Sequence, residues 1–95
     1  MARYRISLKA QQDLEDIAIF TVEGFGKAQA RRYRDGLLNT VKKLVLNPHM
    51  GRSAEHLGEG LRAFAFKSHT LYYLPESPII IVRVLHQSMD VRRHL

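Results

Sequence analysis

The stretch that decides the fold is residues 61–86, which read LRAFAFKSHTLYYLPESPIIIVRVLH. Aromatic and β-branched residues, which favour strands, dominate three short runs in it, over residues 61–67, 69–74 and 79–86. The PESP segment between the last two runs is typical of a turn. The apolar start of the third run does not alternate, as in a strand that is buried on both faces. The stretch therefore predicts three strands. Polar residues among the apolar residues of so small a sheet indicate either a binding or reaction face or a partner that covers them.

Before this stretch, the apolar pattern changes from a strand period to a helix period. Residues 4–8 alternate as a short first strand, and Ser7 offers an N-cap hydroxyl for the helix that follows. From residue 9 the apolar residues recur at steps of three and four, which predicts a helix that ends in a tight turn at Gly24 and Gly26. The apolar stripe of this helix comprises Ala10, Leu14, Ile17, Ala18, Thr21 and Phe25.

A second and longer helix comes next. Its apolar stripe comprises Ala30, Tyr33, Leu37, Thr40, Val41 and Leu44. The helix stops at Asn47-Pro48, because proline disfavours helix in the residue before it. Residues 49–60 are polar and contain several glycines, which predicts an exposed loop.

The order β-α-α-β-β-β predicts an α+β fold. Two helices joined by a short turn form an antiparallel hairpin, and their apolar faces cover one side of a small, mostly antiparallel sheet. A chain of 95 residues is the size of one domain, which we place at residues 1–95. Because the N-terminus lacks a signal-peptide pattern and no segment has the roughly 20 apolar residues that span a bilayer, we expect a soluble cytoplasmic domain without a membrane partner.

The net charge of the chain indicates which classes of partner it could bind. Its formal net charge is +6, and lysines and arginines are spread along it without a block. This excess either serves solubility alone or attracts a polyanion or an acidic protein. There is no cysteine, and the five histidines lack the helical spacing of metal ligands, so we expect neither a metal nor another cofactor.

Residue types on the predicted strands leave room for a metal-free ribonuclease site. Such a site needs an acid, a base and a cation near the phosphate, and Arg62, Arg83 and His86 are of those types. Strand alternation places Arg83 and His86 on opposite faces, which counts against a shared site. The alternative for Arg83 is a buried arginine held by a carboxylate or by carbonyls, and for His69 it is a strand-end histidine satisfied by neighbouring backbone. Alternation also predicts that one of Tyr72 and Tyr73 is exposed.

The order and spacing of these pieces resemble the ParE branch of the ParE/RelE superfamily of type II toxins. The pieces that carry the resemblance are Tyr4-Arg5-Ile6-Ser7, Asp13-Leu14-Glu15-Asp16-Ile17, Phe25-Gly26, Asn47-Pro48-His49-Met50-Gly51-Arg52, Gly60-Leu61-Arg62, Ser68-His69, Tyr72-Tyr73, Arg83-Val84-Leu85-His86 and Met89-Asp90 with Arg92-Arg93-His94-Leu95. The resemblance covers nearly the whole chain.

The resemblance implies a bacterial growth inhibitor, of the plasmid-stabilisation kind, that is encoded beside its antitoxin. In the ParE branch the target is DNA gyrase, whereas the RelE branch cuts mRNA on the ribosome. The C-terminal segment looks like ParE, and the strands carry fewer basic residues than a RelE site uses. A copy that has lost toxicity and only binds its antitoxin is the third alternative.

Two residue sets follow as predictions. The predicted target-binding set is Met89, Arg92, Arg93, His94 and Leu95. The predicted partner is an acidic, partly disordered antitoxin segment that folds on the hairpin and sheet and forms a hetero-oligomer. The predicted contact set for this antitoxin is Leu14, Ile17, Tyr33, Leu37 and Tyr73.

Overall fold

One mixed five-stranded sheet carries two long helices on one face. We describe it from a computed structural model, in which residues 3–95 are described, so residues 1 and 2 of the predicted domain lie outside this range. The elements in chain order are β1 (Tyr4–Ile6), α1 (Leu8–Phe25), α2 (Lys27–Leu46), β2 (Arg52–Ser53), β3 (Arg62–Phe66), β4 (His69–Leu74), β5 (Ile79–His86) and α3 (Val91–His94). The strand order in the sheet is β1-β5-β4-β3-β2.

The pairing of the strands confirms the predicted α+β class. Strand β1 is parallel to β5, and the other three pairs are antiparallel. The predicted bounds of β4 and β5 agree with the structure, and β3 is shorter by one residue at each end. Between Tyr72 and Tyr73 the register shifts, because Tyr72 pairs with Arg83 whereas Tyr73 pairs with Ile81. This bulge leaves Val82 as an extra residue on β5.

The helix boundaries follow from capping. The Ser7 hydroxyl accepts a hydrogen bond from the Ala10 amide at 3.0 Å and begins α1. Gly26 has a φ of 89°, which favours glycine, and this one residue separates α1 from α2. Gly24 lies inside α1, so the predicted turn at both glycines is wrong for Gly24. Phe25, which was predicted on the apolar stripe, is 69% exposed.

The main core lies between the helices and the sheet. Ala10, Leu37, Val41 and Leu44 of the helices pack against Leu71, Tyr73, Ile79, Ile81 and Val84 of the strands. Gly36 of α2 faces the Phe66 ring of β3, and a Cβ at this glycine would clash with Phe66 Cζ. The missing side chain therefore allows the helix to approach the sheet closely.

The opposite face of the sheet carries a second, smaller core. Its buried members are Ala54, Leu61, Ala63, Tyr72 and Leu85, with Leu57 and Val91 packed against them. Residues 49–60 are therefore not simply an exposed loop, since they contain β2 and cover this face. For the same reason Tyr72 and Tyr73 are both buried, which corrects the prediction that one of them is exposed.

The C-terminal segment forms the short helix α3, which the predicted order β-α-α-β-β-β did not include. Asp90 caps it by accepting a hydrogen bond from the Arg92 amide at 3.2 Å. Among residues 3–95, none of the helices has the combination of length and apolar character that crossing a membrane requires.

Candidate functional site

Arg83 joins strand β5 to α1 and to α3. Its Nε and Nη2 atoms donate to the two carboxylate oxygens of Asp13 at 2.8 Å, and its Nη1 donates to the backbone oxygen of His94 at 2.7 Å. The side chains of Arg83 and Asp13 are 13% and 11% exposed. Hydrogen bonding to Asp13 raises the pKa of Arg83 above its ordinary value. Arg83 is thus a paired structural arginine, in agreement with the alternative set against a catalytic role.

Arg62 is bound to the segment between α2 and β2. Its Nε donates to the carbonyl oxygen of Gly51 at 3.0 Å, and its Nη2 donates to that of His49 at 3.1 Å. Tyr73 supports the same segment from below, because its hydroxyl accepts from the Gly51 amide at 3.0 Å and donates to the Pro48 carbonyl at 2.7 Å. The Arg62 guanidinium therefore holds a turn of the backbone.

Two histidines and a tyrosine meet where β4 begins and β5 ends. The His69 and His86 rings are edge to face with centroids 5.2 Å apart, and the Tyr33 hydroxyl lies 2.7 Å from His69 Nδ1. Burial, and then the neighbouring His86, lower the pKa of His69, while burial raises the pKa of Tyr33. His69 is satisfied by a side chain of α2, and not by neighbouring backbone, which was one of the two alternatives for this residue.

His86 is held by the turn that follows it. The Ser88 amide donates to His86 Nδ1 at 3.1 Å, and the Ser88 hydroxyl lies 2.7 Å from the same atom. Because Nδ1 accepts, the neutral ring carries its proton on Nε2.

A groove of about 400 Å³ opens between α1 and this pair of strands. Its floor is formed by Val84 and the two histidines. Its walls are formed by Asp13, Asp16, Ile17 and Phe20 of α1 and by Ser88 and Met89. Such a lining suits an apolar side chain with a polar neighbour. Among residues 3–95, no three histidine, aspartate or glutamate side chains come together as metal ligands.

The three residues proposed for a ribonuclease site do not converge. Arg62 pairs with Tyr73 and His86 pairs with His69, so the two positions are separated by four residues of β4, or about 13 Å. Arg83 and His86 lie on opposite faces of β5, as alternation predicts, because Arg83 is across from Tyr72 of the smaller core. The two arginines of the three are also committed to the fold. The geometry therefore gives no support to a joint acid–base site.

The predicted target-binding set lies on one exposed segment. Met89 is 47% exposed, and Arg92 and Arg93 are exposed on α3. Asp90 lies 3.7 Å from Arg93 in a pair that is open to solvent and therefore weak. His94 is half-buried, since its backbone binds Arg83, and Leu95 is 36% exposed.

The predicted antitoxin-contact set divides into two groups. Leu14, Ile17 and Tyr33 are half-buried at the surface of the hairpin. Leu37 and Tyr73 are 2% and 0% exposed, so a partner that docks on the folded domain does not reach them. We correct the set by removing both, because they belong to the core between the helices and the sheet.

Sequence reasoning missed the apolar residues on the outside of α1. Ile19, Phe20, Val22 and Phe25 are between 38% and 70% exposed. The signal was present, since the first three fall outside the apolar stripe of an otherwise amphipathic helix.

Asp13 was missed as well. It lies three residues after Ala10 and four before Ile17, so the helix period places it on the face that meets the sheet.

Comparison with known proteins places this geometry in a family. The family described as "ParE toxin of type II toxin-antitoxin system, parDE" matches residues 4–91. Toxin ParE1 of Caulobacter vibrioides is 39% identical over 95 residues, which cover 100% of this chain and 99% of the relative. Toxin ParE1 of Mycobacterium tuberculosis is 40% identical over 96 residues, which cover 99% of this chain and 98% of the relative.

A solved structure shares the fold. It is described as "Chromosomal ParDE TA system from P. aeruginosa", has a TM-score of 0.76 at 23% identity, and is matched over 90% of this chain and 96% of that chain. The family match and the relatives extend over β1, the helical hairpin, the strands and the start of α3 alike. The chain therefore belongs to the ParE toxin family of type II toxin–antitoxin systems.

Proposed function

We propose that this toxin inhibits growth in the bacterial cytoplasm by binding and poisoning DNA gyrase, without cutting a substrate of its own. The observation that carries the proposal is that both guanidinium groups of the candidate reaction site are bound within the fold, Arg83 by Asp13 and Arg62 by backbone carbonyls. Gyrase is the target that membership of the ParE family suggests. Inhibition by binding requires an exposed contact surface and no reaction site.

We assign that surface to the segment from Met89 to the C-terminus. Met89 contributes exposed apolar area, and Arg92 and Arg93 contribute two exposed guanidinium groups on consecutive residues of α3. Arginine and methionine are enriched at protein interfaces, and arginine suits bidentate contacts with carboxylate or phosphate. Gyrase bound to DNA offers both kinds of anion.

The proposed partner that neutralises the toxin is an antitoxin encoded beside it. The outer face of α1 supports this role, because it exposes Ile19, Phe20, Val22 and Phe25 within two turns of one helix. Four exposed apolar side chains this close together along one helix are typical of a protein-binding surface. The half-buried Leu14 and Ile17 lie beside it and line the small groove between α1 and α2. The net charge of +6 favours an acidic segment over a neutral one.

A supercoiling assay with purified gyrase tests the target. We expect loss of supercoiling together with trapped double-strand breaks, and we expect prior incubation with the antitoxin to abolish both. The double reversal Arg92→Glu with Arg93→Glu should remove the inhibition without unfolding the protein. Arg31→Glu with Arg32→Glu is the matched control, since these neighbouring residues of α2 are also exposed and the change in net charge is the same.

Two outcomes contradict the proposal in different ways. Inhibition that survives the reversal at Arg92 and Arg93 would refute the C-terminal surface while leaving gyrase as the target. No effect of the folded protein on gyrase at micromolar concentration would refute the target itself. Ribosome-dependent cleavage of mRNA, compared between the wild type and His86→Gln, would then separate the ribonuclease alternative from a copy that only binds its antitoxin.

A further inference from the structure

Helix α3 is too short to hold its own position. It has four residues, and isolated helices shorter than about 12 residues are marginal in water. Asp90 caps its start, and Val91 packs half-buried against the smaller core. At the other end, the described contact from outside the segment is the bond from Arg83 Nη1 to the His94 carbonyl oxygen. The direction of α3 relative to the domain therefore depends on the Arg83 guanidinium.

The guanidinium is itself held in place by Asp13. Both oxygens of this carboxylate accept from Arg83, and Oδ2 also accepts from the Val84 amide at 2.9 Å. This amide belongs to the edge of β5 that β1 leaves unpaired, since β1 pairs only with Ile79, Ile80 and Ile81. Asp13 thus satisfies the Val84 amide at the unpaired edge of β5 and fixes the plane of the Arg83 guanidinium.

We propose that Asp13 and Arg83 form a positioning pair that sets the orientation of α3, and with it the target-binding surface, relative to α1. The inference rests on the proposed function in one respect, the assignment of Arg92 and Arg93 to the target. The pair itself touches no target. It acts through α3, by bridging residues 13, 83 and 94, which come from three different elements.

The planar fork of arginine is what this role requires. One guanidinium donates in two directions at once, to the carboxylate with Nε and Nη2 and to the carbonyl with Nη1. Lysine keeps the charge opposite Asp13 but has a single nitrogen on a flexible chain, so it does not reproduce both sets of bonds. Arg83→Lys therefore separates the positioning of α3 from the electrostatic pairing. Asp13→Asn separates the fork from the strand edge, because an amide oxygen still accepts from Val84.

The test combines nuclear magnetic resonance with the gyrase assay. In Arg83→Lys and in Asp13→Asn, we expect the helical chemical shifts and the heteronuclear NOE values of residues 91–95 to move towards those of an unfolded chain. The spectrum of the remaining domain should stay dispersed. The concentration needed for half-inhibition of gyrase should rise at least about tenfold, the factor expected when a hydrogen bond to a charged group is lost. Controls are Arg5→Lys on β1 and Glu15→Gln on α1, both exposed residues.

The outcomes for the inference and for the proposed function are distinguishable. A truncated protein that ends at Val91 and still inhibits gyrase would refute the assignment of Arg92 and Arg93 to the target. The shifts of residues 91–95 in the full-length variants would still decide whether the pair orients α3. A truncation without activity, combined with full activity of both Asp13→Asn and Arg83→Lys, would overturn the positioning role and leave the proposed function standing. Unaltered helical shifts in both variants would overturn it as well.

Discussion

Replacement of Tyr73 by phenylalanine removes one oxygen atom from the centre of the fold. That hydroxyl accepts from the buried Gly51 amide at 3.0 Å and donates to the Pro48 carbonyl at 2.7 Å. The ring is 0% exposed, so water does not replace the lost partner without rearrangement. Each lost hydrogen bond costs about 1 kcal/mol, and a buried amide that is left unpaired costs about 1–3 kcal/mol. We therefore expect Tyr73→Phe to lower the free energy of unfolding by about 2–3 kcal/mol.

Urea and thermal unfolding, followed by circular dichroism, measure this loss. For a domain of this size, 1 kcal/mol corresponds to about 4–8 °C in Tm, so the midpoint should fall by roughly 10–20 °C. Tyr72→Phe is the matched control, since Tyr72 is the neighbouring residue on β4, is 8% exposed, and belongs to the core on the opposite face. We expect it to cost less than about 1 kcal/mol.

The comparison refutes the reasoning if the two variants lose equal stability. Equal losses would mean that the Tyr73 hydroxyl is not what holds the segment from Pro48 to Gly51, and that the segment depends on Arg62 alone. A loss confined to Tyr73→Phe would confirm that the side chain acts as a structural support under this segment, and not as a contact for a partner.

Three further predictions concern packing, pH and the antitoxin. Gly36→Ala should destabilise the protein by about 1–3 kcal/mol, because the new Cβ clashes with the Phe66 ring. Gly24→Ala in α1, where no atom lies within 4 Å of the new Cβ, should stabilise the protein by about 0.4–1 kcal/mol. Chemical unfolding of both variants measures the two signs, and a stabilised Gly36→Ala would contradict the packing argument. The free energy of unfolding should fall as the pH is lowered below about 7, because the pKa of His69 is lowered in the fold while the unfolded chain takes up the proton near pH 6.5. Unfolding curves between pH 7.5 and 5.5 should show a weaker pH dependence in His69→Gln than in the wild type. An equal pH dependence would refute the role of His69. Phe20 is 70% exposed, so Phe20→Gln should alter the free energy of unfolding by less than about 0.5 kcal/mol. The same variant should bind the antitoxin about tenfold more weakly, or weaker still, when the affinity is measured by calorimetry. An unchanged affinity would exclude Phe20 from the interface.

Local patterns were sufficient to predict six of the eight elements of the fold, all except β2 and α3. The run of β-branched and aromatic residues predicted β4 and β5 with their observed bounds, and Asn47-Pro48 marked the end of α2. Ser7 was identified as the N-cap of α1, and its hydroxyl does accept from the Ala10 amide. These features depend on residues within a few positions of each other, which is why the sequence alone is informative about them.

Features that depend on residues far apart in the chain were not predicted. The two-residue β2 exists only because β3 lies beside it, and residues 49–60 become a cover because the sheet offers a second apolar face. The prediction that one of Tyr72 and Tyr73 is exposed was wrong for the same reason. On α1, the bond between Asp13 and the strand edge was missed because its partner, Val84, is separated from it by 71 positions.

What the sequence by itself determined is the order of β1, the two long helices and β3 to β5, together with the amphipathic hairpin, the net charge and the family resemblance. Each of these follows from residue types and their spacing. Only the tertiary structure decided which polar residues are free to act, since Arg62 and Arg83 have the same chemistry as Arg92 and Arg93 but are bound by Gly51, His49, Asp13 and His94. The physical reason is that a guanidinium becomes structural when distant acceptors surround it, and the positions of those acceptors are set by the packing of the whole chain.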